Sequence, residues 1–159
     1  MPEITPLGWF HTIIGMTALI SGFYTLAKRK EITLQFRAGQ IYLVATLITA
    51  MSALGIFQHG SFGAAHALAI LTLLGLGIGT LAATTRIFGK FSRYVQAAGY
   101  SATLLFHMIP AITDFLLRIP AGDPFLTSIE DPVLKMSYLA LLVLFLLGLG
   151  FQFAWIRRQ

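Results

Sequence analysis

Apolar residues fill five stretches of this chain, and each is separated from the next by a short polar or charged segment. A helix that crosses a bilayer needs about 20 mostly apolar residues. The stretches at 7–27, 38–57, 62–84, 94–117 and 134–156 meet that need, so the pattern predicts five transmembrane helices. Trp9 and Phe10 near the start of the first, and Trp155 near the end of the last, suit the membrane interface. The first stretch does not read as a secretory signal. It is too long, and Glu3 precedes it while Lys28-Arg29-Lys30 follow it, the reverse of the expected flanks. The expected architecture is an all-α polytopic membrane bundle forming one domain over 1–159.

Composition supports that solvent. The chain is 57% hydrophobic and 11% charged, with a mean hydropathy of +0.80, whereas soluble domains carry about 25% charged residues. The net charge of +5 is not a nucleic-acid signal, because the basic residues sit in blocks between apolar runs. Lys28, Arg29, Lys30 and Arg37 lie between spans one and two. Arg86, Lys90 and Arg93 lie between spans three and four, and Arg157 and Arg158 follow span five. Only Arg118 and Lys135 fall on the other side. The positive-inside rule then predicts the N-terminus out and the C-terminus in. A four-span alternative would make 94–118 re-entrant, since Pro110, Asp114 and Arg118 weaken its outer half. It would also put Arg157 and Arg158 outside, so five crossings are preferred. The outer loop 118–133, rich in proline and acid, reads as a connector or as a lid over the outer mouth.

Two polar patterns stand out inside the apolar runs. In span three, Gly75, Gly77 and Gly79 suit close helix packing, as do Gly15, Ala18 and Gly22 on the His11 face of span one. In span four, Gln96, Tyr100, Thr103, His107 and Asp114 recur at helical spacing, with Arg93 and Pro110 on the same stripe. Facing lipid, such groups would go unpaired at several kcal/mol each, so the stripe is expected to face the interior.

The predicted topology puts all four histidines in the outer half. His11 and His66 match in depth, His107 lies somewhat deeper, and His59 is peripheral in the loop between spans two and three. Ionisable groups in a membrane are costly and point to function. With no cysteine in the chain, thiolate sites are excluded. Imidazole and carboxylate remain as ligands. His11 and His66 could hold haem b between them. His11, His66, His107 and Asp114 could instead hold copper, zinc or iron, with Tyr100 and Thr103 supporting them. Either would serve redox chemistry, with a redox partner, a membrane complex or a homo-oligomer. A different class is a small proton-coupled transporter, and a third is a non-catalytic accessory subunit whose histidines are structural. The sequence has no HExxH, GxSxG or paired-acid motif, which argues against hydrolysis.

The stretches HTIIGMTALISGFYTLAKRK, LQFRAGQIYLVATLITAMSALGIF and FGAAHALAILTL resemble a broad bacterial family of predicted multispan integral membrane proteins of unknown function. The shared features are a histidine opening span one, a Gly-x-Ile-Tyr entry to span two and a histidine opening span three. His11, Gly39, Ile41, Tyr42 and His66 occupy those positions. LFHMIPAITDFLLRIPAGDPF is similar to a segment found in some such proteins and covers His107, Pro110, Asp114, Arg118 and Pro120. The resemblance implies a bacterial cytoplasmic membrane protein in which His11, His66 and His107 are more than incidental. Where other members place a further histidine on the inner side, this chain has Gln35, which leaves an inner haem without that ligand.

Overall fold

A computed structural model describes residues 4–57, 62–85 and 87–159. Among these, the chain is all-helical: α1 (Pro6–Arg29), α2 (Arg37–Ala53), α3 (Ala64–Thr84), a single 3-10 turn at Gly89–Phe91, α4 (Ser92–Arg118) and α5 (Pro132–Ile156). Four of the five helices, α1, α3, α4 and α5, are long and apolar enough to cross a membrane.

The helix ends follow local chemistry. The Thr5 hydroxyl accepts from the Gly8 amide at 3.1 Å, with Pro6 opening the first turn. The Asp131 carboxylate accepts from the Val133 amide at 2.8 Å, again beside a proline. Both satisfy amide groups that a helix start leaves bare. Lys30, at φ 65°, closes α1 in the left-handed conformation. The C-terminal end of α2 comes earlier than the expected boundary at 57. Its helix stops at Ala53, and the amides of Gly55 and Ile56 turn back to the carbonyls of Ser52 and Ala53. At 17 residues α2 spans about 25 Å.

The expected weak point, span four, is instead the longest helix at 27 residues, and it runs unbroken through Pro110. Pro110 is exposed, so the stripe's inward face excludes it. The α4–α5 loop, expected on the outside, folds onto its own helix rather than across the bundle. Leu126 donates to the Leu116 carbonyl at 2.9 Å, and the Phe115 and Phe125 rings stack.

Helix α4 is the hub. It packs closely on α3, also touches α5 and α1, and the α1–α2 pair forms the other tight contact. Glycines set the closest approaches. A Cβ on Gly99 would stand 2.8 Å from the Gly75 carbonyl oxygen, and one on Gly22 would stand 2.7 Å from the Tyr42 ring. Gly75 and Gly79 therefore act as the spacing predicts, while Gly77 faces open space. The α1–α2–α4 core is unusually polar. Thr25, Tyr42, Thr46, Thr49, Tyr100 and Thr103 are all buried.

Candidate functional site

A ladder of polar contacts climbs between α2 and α4, with α1 joining at its outer end. Its lowest rung is Glu31, buried in the α1–α2 turn, whose two carboxylate oxygens accept from Arg93 Nε at 3.1 Å and one of them from Arg93 Nη2 at 2.7 Å. Arg93 also stacks over the Trp155 ring at 4.9 Å. Next, Gln96 donates to the Ile32 carbonyl at 2.9 Å. In the middle, the Tyr42 hydroxyl meets the Thr103 hydroxyl at 2.6 Å, Thr103 donates to the Tyr100 carbonyl, and the Tyr100 hydroxyl meets Thr80 at 3.1 Å. One turn outward, His107 Nε2 meets the Thr46 hydroxyl at 3.2 Å. Outermost, His11 Nδ1 lies 3.0 Å from the Thr49 carbonyl and 3.1 Å from the Ser52 hydroxyl.

The span-four stripe thus faces inward from Gln96 to His107, as its spacing predicts. Asp114 departs from the expectation. Its side chain is 56% exposed and pairs with Arg118 at 3.1 Å. A carboxylate at a helix end keeps water and a cation within reach, which costs less than burial.

Helix register fixes relative depth. Gly79 and Gly75 lie against Tyr100 and Thr103, and continuing this antiparallel register sets His66 level with about Ile112. Gly22 lies against Tyr42 and Gly15 against Thr49, which sets His11 level with the end of α2. The Tyr42–Thr103 and Thr46–His107 contacts carry that level across to Asp114. His11, His66 and Asp114 therefore share one depth, and His107 lies about 10 Å inward of it.

Sharing a depth is not convergence. His11 faces α2, against the Thr49 carbonyl and the Ser52 hydroxyl. His66 keeps different company. It is buried, lies between the rings of Phe57 and Phe62 at 4.6 Å and 5.1 Å, and its Nδ1 accepts from the Gly63 amide. Its Nε2 is buried with no partner. His59 lies outside the described residues.

Tautomers separate the two histidines further. The Thr49 carbonyl can only accept, so His11 carries its proton on Nδ1 and presents a lone pair at Nε2. The Gly63 amide can only donate, so neutral His66 carries its proton on Nε2. A metal-binding Nε2 requires the first arrangement, with the other nitrogen donating to a carbonyl or carboxylate. The His11–His66 pair expected to hold haem thus has one suitable member. Among the described residues, no group of three or more histidines and acids is arranged to hold a metal ion.

Sequence reasoning singled out Tyr42 through the resemblance but missed its companions on α2. Tyr42, Thr46, Thr49 and Ser52 recur on α2 at the same helical spacing as the α4 stripe, a signal that is readable but masked by threonine's neutrality. Glu31 was hidden among basic residues. No protein-family model matches the chain, and no match was found among curated proteins or solved structures.

Proposed function

We propose that this protein relays protons within a membrane, along the α2–α4 ladder, as a small proton-coupled transporter or the proton-handling subunit of a larger assembly. One observation carries the reading: dissociable and hydroxyl groups occupy successive levels of the bundle from Arg93 to Asp114. Twenty-one residues separate those two, about 32 Å of helix, which matches a hydrocarbon core of about 30 Å. Hydroxyls and imidazoles both donate and accept, so they can pass a proton without leaving their places. A purely structural bundle has no need of a polar group at every turn, because lipid-facing and core positions are cheaper when apolar.

The reading includes five crossings with the N-terminus outside a bacterial cytoplasmic membrane, in the broad family that the sequence resembles. It is supported by the basic residues gathered at one end of the bundle and by α2, whose 17 residues lie at the short limit for a crossing. The chain has no cysteine, so introduced ones report location directly. Asp123→Cys should label in intact cells, and Gln159→Cys only after permeabilisation.

The test of function is purified protein in liposomes that contain a pH-sensitive dye. Under an imposed potential, proton entry should exceed that of empty vesicles. His107→Ala should abolish it, and Ser137→Ala, half-buried on α5 away from the ladder, should not. Wild-type vesicles no leakier than empty ones overturn the reading.

A second reading rests on His11 alone. Its tautomer suits ligation of haem b or of copper, zinc or iron, with other ligands drawn from a partner or a second copy. Soret absorbance or stoichiometric metal in the native-purified protein, lost in His11→Ala, would favour it. A colourless, metal-free preparation would remove it.

A further inference from the structure

The end of the bundle that carries Arg93 also gathers unmatched positive charge. Lys28, Arg29 and Lys30 close α1, Arg37 opens α2, Lys90 precedes α4, and Arg157 and Arg158 follow α5. All seven are exposed. Among the described residues the acidic side chain at that end is Glu31, and Arg93 takes it, so none of the seven has a carboxylate partner there. Exposed cations without a counter-charge on the chain attract anions from outside it.

One part of this end offers more than charge. A shallow groove of about 300 Å³ runs over the outer surface of α1 and α2, lined by Thr17, Ile20, Ser21, Tyr24 and Ala38. The Thr17 and Ser21 hydroxyls return to the carbonyls of Ile13 and Thr17, so the groove presents mainly apolar surface. From Thr17 to Tyr24 is two turns of α1, about 10 Å. Tyr24 then connects the groove to the charge. Its ring stacks on Phe36 at 6.0 Å, and the Arg29 guanidinium lies over the Phe36 ring at 4.8 Å. Arg29 stands about 8 Å beyond Tyr24 along the helix axis.

An apolar groove that ends in a cation matches a molecule with a hydrocarbon chain and an anionic head. Stacking on Phe36 uses the face of the guanidinium and leaves its N–H edge free, the edge that meets a phosphate with two parallel hydrogen bonds. Lys28, Lys30 and Arg37 on the same connection would repel the ammonium of a zwitterionic headgroup, which favours a net negative one. We propose that the groove and the Arg29–Phe36 stack bind one anionic phospholipid, with an acyl chain along Thr17, Ile20 and Tyr24 and the phosphate on Arg29. The site is independent of the relay reading.

The test uses the purified full chain in neutral detergent, with retained lipid counted by native mass spectrometry. One phosphatidylglycerol should be held at least about fivefold more tightly than phosphatidylcholine with the same chains, the factor that one basic residue near an anionic surface supplies. Glycerol 3-phosphate, which has the head without the chains, should not be retained. Arg29→Ala should weaken phosphatidylglycerol severalfold, while Arg157→Ala, at the same end but away from the groove, should leave it near the wild-type value. Ala38→Leu fills the groove and should weaken binding without lowering the melting temperature of the lipid-free protein. If that variant does not fold, Thr17→Phe fills the groove from the exposed face of α1. Equal retention of the two lipids overturns the proposal. So does equal weakening by Arg29→Ala and Arg157→Ala, which would mean diffuse attraction to the whole basic end. Full retention in the groove-filled variant overturns the acyl-chain seat.

Discussion

The two ends of the polar ladder solve the same problem in opposite ways. At the inner end the charged and amide groups are matched, although the Ser92 hydroxyl is buried without a partner. Glu31 is held by Arg93 through three hydrogen bonds, Arg93 is covered by Trp155, and Gln96 closes on the Ile32 carbonyl. At the outer end groups are left open. Among the described residues, His11 and His107 each engage one ring nitrogen, and the Thr49 hydroxyl and His66 Nε2 are buried without partners. A saturated cluster fixes helices in place, whereas an unsaturated one keeps donors and acceptors available for chemistry. The inner end is therefore read as the fastening of the bundle and the outer end as its working part.

The sharpest way to break that contrast is to unfasten the inner end. Arg93→Ala leaves the Glu31 carboxylate buried and unpaired, which costs about 3 kcal/mol, the low end for such pairs because Arg93 itself is partly exposed. The double variant Arg93→Ala with Glu31→Gln should recover part of that loss, because the amide carries no charge. Unfolding titrations in mixed detergent would measure both. Equal stability of wild type and Arg93→Ala would remove the fastening role.

The next effect is steric and lies between the two ends. Gly99→Ala pushes a methyl against the Gly75 carbonyl at 2.8 Å, backbone that cannot move aside cheaply. The expected cost is about 2 kcal/mol. A melting temperature unchanged from wild type would show that α3 and α4 are less closely set than this geometry requires.

How much of this was open to sequence reasoning depends on how a residue announces itself. Apolar length predicted all five helices to within a few residues, because hydrophobic thickness is a strong constraint. The α4 stripe was legible since Gln96, Tyr100 and His107 contrast with their neighbours. The α2 stripe was not singled out, because threonine and serine are tolerated in any membrane helix and only their partners give them meaning. Asp114 was misplaced for a related reason. Helical spacing assigns a face but not a depth-dependent exposure, and near a helix end an acid can meet water. His66 shows a further limit. Its depth was inferable, but the Gly63 amide that sets its tautomer belongs to backbone geometry that sequence does not reveal.

Mid-ladder, Tyr42→Phe is expected to cost about 1 kcal/mol. It removes the 2.6 Å contact to Thr103, but Thr103 keeps its bond to the Tyr100 carbonyl, so no new buried group is orphaned. If the ladder relays protons, the same variant should lower flux far more than that small stability loss accounts for. A parallel fall in both would make Tyr42 structural only.

The smallest effect on stability falls on the residue that first drew attention to the outer end. Asp114 and Arg118 form an exposed pair one turn apart on α4, and such pairs contribute less than about 1 kcal/mol. Asp114→Asn should therefore leave the unfolding midpoint nearly unchanged. Asp114 nonetheless stands level with His11 and is the last dissociable group of the ladder at that end. Removing its charge takes away that terminal proton acceptor, so flux should fall although the fold is intact. Loss of flux with full stability here, set against loss of stability at Arg93, would separate a working end from a fastening one. If Asp114→Asn destabilised the protein as Arg93→Ala does, the two ends would be doing the same job.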